Sequence, residues 1–488
     1  MTLIWNRRSV ILGRPGTDEV YRPESRATDL NLICRLKDPK FMRFNRYVVR
    51  MLTAVFVVSG SISVHAAESA KKPNILVIVA DDLGYSDLGF QGGADIPTPA
   101  IDSLAAGGIR FTNGYVSGPY CSPTRAGLLT GRYQQRFGHE FNPGGNRNGG
   151  HGLPLDETTF ADRFKEAGYV TGLVGKWHLG SAPEYHPQKR GFDEFFGFLG
   201  GAHTYFDKQN AEIHRGTQKL SEPDYLTHAF GREAVSFIER HKQEPFLLYL
   251  AFNAVHTPME AEESAREKFG SIQDETRKTY AAMLGAMDDA VGKVLKALRE
   301  SQLEENTLIF FISDNGGPTM QGTTINSSIN SPLRGSKRTT LEGGIRVPFV
   351  IQWKGHLPSG RVYNQPVIQL DIQPTALAAA GVQISPDWKL DGVNLLPFIS
   401  GQTDGVPHES LFWRLGEQNA VRHGAWKLVQ YDLNVENYPT RGVTTKKLYH
   451  LATDLGETND LAEKNPEKVK ELEALWENWN QQLSKPLW

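Results

Sequence analysis

Two runs of uninterrupted apolar residues dominate the chain, Asn74-Ile75-Leu76-Val77-Ile78-Val79-Ala80 and Thr307-Leu308-Ile309-Phe310-Phe311-Ile312-Ser313. An apolar run without alternation suits a strand whose successive side chains point into two covered layers. Tyr169 to Val174 and Pro245 to Phe252 read as further strands. Helical spacing lies between them, over Thr159 to Ala167, near His228 to His241, and in the long amphipathic stretch Glu275 to Arg299. Strand and helix patterns in alternation predict an α/β fold with a large mixed, mostly parallel sheet flanked by helices. From about Asp387 the pattern changes to short alternating strands, Ser410 to Arg414, Trp426 to Val429 and Lys447 to Tyr449, closed by a polar helix from Pro466 to Leu483. The expected organisation is therefore a large domain over 73–385 and a smaller C-terminal antiparallel sheet plus helix over 386–488.

The long strands end in unusual chemistry. The first runs into Asp81-Asp82-Leu83-Gly84 and the second into Asp314-Asn315-Gly316-Gly317. Open α/β sheets place ligands at the carboxyl ends of their strands. Adjacent strand residues point to opposite faces, so Asp81 and Asp82 converge only if the backbone leaves the extended form, which Gly84 is expected to allow. Either pair alone suits loop acids that cap helices. Together they make a hard-oxygen set of Asp81, Asp82, Asp314 and Asn315, fitted to Ca²⁺, with Mg²⁺ as the second choice, and not to zinc.

Between these strands lies Cys121-Ser122-Pro123-Thr124-Arg125-Ala126-Gly127-Leu128-Leu129-Thr130-Gly131-Arg132. Pro123 suits a first helical position and Gly131 a helix stop, which places Cys121 at a helix N-terminus, where anions bind and a thiol pKa falls. Read alone, Cys121 is better taken as a free cysteine buried beside a helix, and it is the surrounding motif that reverses this. Lys176 and His178 follow a predicted strand, as does His256 in Asn253-Ala254-Val255-His256-Thr257-Pro258, and each suits an ordinary loop as well as a site. The stretch from Pro332 to Pro348 is basic and glycine-rich, and holds Lys337.

These segments together resemble the type I sulfatases of the alkaline phosphatase superfamily, of the arylsulfatase and N-acetylgalactosamine sulfatase kind, from about Pro73 to the C-terminus. Cys121 to Arg125 matches the Cys-x-Pro-Ser/Thr-Arg signature, with Thr124 where Ser is commoner. Gly175-Lys176-Trp177-His178-Leu179-Gly180, the His256-Thr257-Pro258 element and the 332–348 stretch match further family motifs, the last with Ser336 in place of glycine and Leu341 in place of tyrosine. The resemblance implies an alkaline-phosphatase-like fold and a sulfuric ester hydrolase. It also implies oxidation of Cys121 to Cα-formylglycine by a formylglycine-generating or sulfatase-maturing enzyme, and one Ca²⁺ on Asp81, Asp82, Asp314, Asn315 and residue 121. Positive charge comes from Arg125, Lys176 and Lys337. On this resemblance the hydrate at 121 would be the nucleophile, His178 would take its proton to expel sulfate, and His256, with Lys337, would protonate the leaving alcohol. Loops around His139 and His203 resemble those lining the cleft for a sulfated sugar. Two alternatives stand beside this reading: a phosphomonoester or phosphonate hydrolase of the same superfamily, and a non-catalytic carbohydrate-binding protein if Cys121 stays unconverted.

Composition narrows the context. A net charge of −2 over 488 residues gives no global field for nucleic acid, so attraction for an anion must be local. Met42 to Arg50 is basic, Met51 to Val64 is apolar but short for a membrane span, and Val64-His65-Ala66 supplies small residues for cleavage. A signal peptide over 42–67 and a periplasmic or secreted protein are expected, with 1–41 a spurious or disordered extension. Of the two cysteines, Cys34 falls in the part removed, which leaves Cys121 without an internal disulfide partner.

Overall fold

Residues 71–143, 150–206 and 212–488 are described by a computed structural model. The expected signal peptide and the segment before it, Cys34 included, lie outside the described residues. Ten strands form the main sheet: β1 (Asn74–Ala80), β2 (Ile109–Phe111), β3 (Val170–Lys176), β4 (Glu194–Phe198), β5 (Ile213–Arg215), β6 (Gln218–Leu220), β7 (Phe246–Ala251), β8 (Thr307–Ser313), β9 (Phe349–Trp353) and β10 (Arg361–Tyr363). Their order is β10-β2-β9-β8-β1-β7-β3-β4-β5-β6. The central five, β8-β1-β7-β3-β4, are parallel. β9 runs antiparallel to both β8 and β2, which makes the sheet mixed as expected.

The main helices are α1 (Pro99–Ala106), α2 (Cys121–Thr130), α3 (Phe160–Glu166), α4 (Leu226–Arg240), α5 (Glu275–Glu300), α6 (Ile372–Ala379) and α7 (Pro466–Asn480). Leu76, Ile78 and Ala80 of β1 face the core layer built with α1, α4 and α5, while Ile75, Val77 and Val79 face the layer built with α2, α3 and α6. This two-sided burial is why β1 and β8 show no polar alternation. Each fully buried Val, Ile or Leu stabilises the fold by about 1.5–3 kcal/mol relative to exposure.

The C-terminal strands β11 (Ser410–Leu415), β12 (Gln418–His423), β13 (Trp426–Gln430) and β14 (Lys447–His450) form a consecutive antiparallel sheet. Its polar member β12 escaped the hydrophobic pattern. It is fixed by backbone pairing on both edges, with only Ala420 and Val421 as its buried apolar side chains. Trp413 and Tyr431 of this region pack with Leu341, Ile345 and Tyr115 in one cluster, so the C-terminal sheet supports the 332–348 loop. No described helix is long and apolar enough to cross a membrane.

Candidate active site

Parallel register brings the strand ends together. Ala80 lies opposite Ser313 and Val79 opposite Ala251, so the acids after β1 and β8 and the loop after β7 emerge side by side. Asp81, Asp82, Asp314 and Cys121 each offer one ligand atom, and these atoms lie within 4.8 Å of one another. All four residues are buried. The turn that joins the two aspartates is made at Asp82 itself, at φ 61, and not at Gly84 as expected. Gly84 serves space instead: a Cβ there would stand 2.3 Å from Asp87 Oδ2 and 2.6 Å from the Ile329 backbone. Asn315 donates through Nδ2 to Asp82 Oδ1 (2.7 Å), which leaves its buried Oδ1 without a partner. An orphaned amide oxygen beside three carboxylates is a donor set that fits a hard divalent cation.

α2 starts at Cys121, so Pro123 sits two residues inside the helix rather than at its first position; Gly131 ends it in the left-handed conformation, at φ 69, as expected. Cys121 Sγ lies 3.7 Å from Asp81 Oδ1. The expected fall in thiol pKa is not found. Burial pushes it up to about 12, against the pull of Lys176 and Lys337 and with Asp314 and Asp81 opposing ionisation further. The helix terminus is outweighed because its field is modest and the desolvation is complete.

Three cations balance the carboxylates. Lys176 Nζ lies 2.5 Å from Asp81 Oδ2, and Lys337 Nζ 2.8 Å from Asp82 Oδ2. Burial alone would raise the aspartate pKa values, but Lys176 acting on Asp81 and Lys337 on Asp82 hold both below the usual carboxylate range. Arg125 gives Nε and Nη2 to Asp314 Oδ2, at 3.0 and 2.8 Å, and Nη1 to the Lys176 carbonyl at 3.3 Å. Its fork is spent on the acid cluster. Arg125 thus supports Asp314 rather than presenting a free charge.

His178, at φ 60, carries a buried Nδ1 without a partner, and a Cβ on Gly201 would stand 2.4 Å from its Nε2. Burial, reinforced by Lys176, Arg125 and Lys337, holds its pKa well below the usual imidazole value, so the ring is neutral. His256 places Nδ1 2.5 Å from the Thr257 carbonyl and Nε2 3.6 Å from Asp82 Oδ2.

Two residues that hydrophobic pattern and motif left unnoticed hold this geometry. The Asn326 Nδ2 donates to the carbonyls of Asp82 (3.1 Å) and Val255 (2.9 Å), tying the metal loop to the His256 loop. The buried Tyr205 hydroxyl lies 2.6 Å from the Asn253 carbonyl and 2.8 Å from that of His256. Nothing local in the sequence marks either residue, since both act across long separations. His139 needs correction as a sugar contact. It is fully buried, with Nε2 2.7 Å from Ser122 Oγ, its ring edge-on to Trp488, and its pKa lowered by burial to about 3. Ser122 Oγ in turn donates to the His178 carbonyl at 2.6 Å, so His139 props the site from behind. His203 is half-buried, its Nδ1 2.7 Å from the Thr204 carbonyl and its ring 5.2 Å from that of Phe198.

Comparison with known proteins agrees with this geometry. Residues 73–382 match the family described as Sulfatase, and 335–485 match the N-sulphoglucosamine sulphohydrolase C-terminal family. The chain is 36% identical to the N-acetylgalactosamine-6-sulfatase of Canis lupus familiaris over 399 residues, covering 76% of this chain and 74% of the relative. It is 32% identical to YdeN, an uncharacterized sulfatase of Escherichia coli (strain K12), over 486 residues, covering 83% and 84%. The crystal structure of Ps i-CgsB in complex with k-i-k-neocarrahexaose superposes with a TM-score of 0.79 at 36% identity, covering 86% of this chain and 95% of that one. With a buried cluster of acids and a cysteine at the carboxyl ends of a mixed sheet, and a family match over most of its length, the chain belongs to the sulfatases, the sulfuric ester hydrolases of the alkaline phosphatase superfamily.

Proposed function

We propose that this sulfatase removes sulfate from a sulfated carbohydrate, with Cys121 converted to Cα-formylglycine by a maturing enzyme and one Ca²⁺ in the acid cluster. The observation that carries the reading is the convergence of Asp81, Asp82, Asp314 and Cys121 within 4.8 Å, ringed by Lys176, Lys337 and Arg125. In this structure Cys121 Sγ stands where the formylglycine oxygens would lie. A Ca²⁺ held by Asp81, Asp82, Asp314 and the free Asn315 Oδ1 supplies fixed positive charge for an anionic ester. The hydrated formyl group supplies an oxygen nucleophile and keeps a second hydroxyl for release of sulfate.

The chain's own groups do the rest. Three carboxylates already face three cations, so an added divalent charge is left over to attract the ester. Lys176 and Lys337 are held by buried ion pairs, and point charge at the oxygens of the transferring group without reorganising. Neutral His178 accepts the hydroxyl proton at residue 121, because burial and its cationic neighbours keep it unprotonated in the resting site. His256, oriented by Nδ1 on Thr257, presents Nε2 toward the leaving oxygen and donates a proton there. The carbohydrate class is supported by the N-acetylgalactosamine-6-sulfatase relatives and by the oligosaccharide in the similar crystal structure. Export to the periplasm or medium is inferred from the basic and apolar run over 42–66.

The test is sulfate release from a panel of sulfated mono- and disaccharides, alongside their phosphate analogues and mass spectrometry of the Cys121 peptide. Conversion of Cys121, turnover of the sulfates and loss of turnover in Cys121→Ala are expected. Undiminished cleavage by Cys121→Ala, or preference for the phosphates, would overturn the reading.

A further inference from the structure

The cation that follows Lys337 in the 332–348 loop has no part in the chemistry above. Lys337 is buried and turned onto Asp82, whereas the next residue, Arg338, is exposed. Both cations lie over the ring of Tyr120, the residue just before Cys121, with Lys337 Nζ 5.6 Å and Arg338 Cζ 5.8 Å from its centroid. Tyr120 therefore bridges the buried clamp and a second, solvent-facing guanidinium. Apart from that ring, no side chain among the described residues engages the Arg338 guanidinium.

The backbone that carries Arg338 is held in place. Arg338 adopts φ 71, a left-handed conformation that a non-glycine residue keeps only when its surroundings impose it. Its N–H donates to the Pro119 carbonyl at 2.7 Å, and its carbonyl accepts from Gln418 Nε2 at 2.9 Å. Gln418 is itself buried on β12, with Oε1 accepting the Asp432 N–H at 3.0 Å. A contact from each side of the loop thus fixes the Arg338 backbone, and its exposed guanidinium lies against Tyr120, next to Cys121.

We propose that Arg338 and Tyr120 form a second anion subsite, so that the substrate is a carbohydrate bearing a sulfate or carboxylate in addition to the sulfate that is cleaved. The inference rests on the sulfate ester reading above. A guanidinium binds either anion through two parallel N–H donors, and the ring beneath it fixes its plane and offers a face to the sugar. The two cations over one ring let a single substrate with two neighbouring anionic groups reach both.

The experiment compares kcat/KM of the matured enzyme on a disaccharide carrying sulfate on each sugar and on its counterpart lacking the second sulfate. Arg338→Asn tolerates the left-handed backbone, and Arg338→Gly relieves it, so the pair guards against misfolding. In both variants the ratio of doubly to singly sulfated kcat/KM is expected to fall about tenfold, mainly through KM, the loss of one charge-assisted contact. An unchanged ratio in either folded variant overturns the subsite alone. Wild-type enzyme that cleaves neither disaccharide nor an aryl sulfate overturns the sulfate ester reading, and the subsite with it.

Discussion

Lys427 is fully buried between two carboxylates, 2.9 Å from Glu342 Oε1 and 2.8 Å from Glu457 Oε1. Glu342 also accepts from the Tyr115 hydroxyl at 2.7 Å, and its N–H donates to Glu457 Oε2 at 2.7 Å. Replacing the lysine in Lys427→Met leaves Glu457 in the interior without its cation and Glu342 with Arg346, at 3.3 Å, as its remaining ion-pair partner. Removing one partner of a buried ion pair costs about 3–5 kcal/mol. For the compact unit Ala67–Trp488, an unfolding entropy of about 2.1 cal/mol/K per residue sums to roughly 0.9 kcal/mol/K, so Tm falls by about 3–6 °C. Glu457 has its pKa raised, by burial first and then by Glu342, so it is the acid that takes a proton. Lys427→Met/Glu457→Gln removes one stranded charge and is expected to recover part of the loss. The assay is calorimetry at pH 7. A Lys427→Met protein melting with the wild type, or a double variant melting below the single one, would refute the assignment.

Three further outcomes follow from the same physics. Gly175→Ala would place a Cβ 1.9 Å from the Ala251 carbonyl oxygen at φ 115, forcing β3 from β7; soluble yield and Tm should collapse, and a well-folded variant would contradict the packing. EDTA should lower Tm and added Ca²⁺ restore it, with Asn315→Ala needing more Ca²⁺ for the same recovery; a melt indifferent to both denies the cation site. Burial would lower the pKa of His408, but Asp371 at 2.8 Å raises it above the usual 6.5. Its pairing therefore stabilises the fold fully below the unfolded pKa and is lost as pH rises through the folded one. His408→Ala should cost more at pH 5.5 than at pH 9, and equal costs would exclude a charged pair.

The strands β1 and β8, the helix α5 and the acids that follow the two strands were legible because hydrophobic period and strand-end chemistry are local properties. The covalent order of Cys121, Arg125, Lys176, His178, His256 and Lys337 likewise carried the motif resemblance without any geometry. Tertiary structure alone decided how those groups are used. It spent Arg125 on Asp314, raised the Cys121 thiol by burial against the helix terminus, placed the sharp turn at Asp82, and turned His139 into a buried prop. It also recruited Asn326, Tyr205 and the Lys427 network, whose partners lie far away in the chain. The physical reason is that residue order sets which groups are available, whereas desolvation, ion pairing and polar satisfaction depend on what the folded chain brings within a few ångströms.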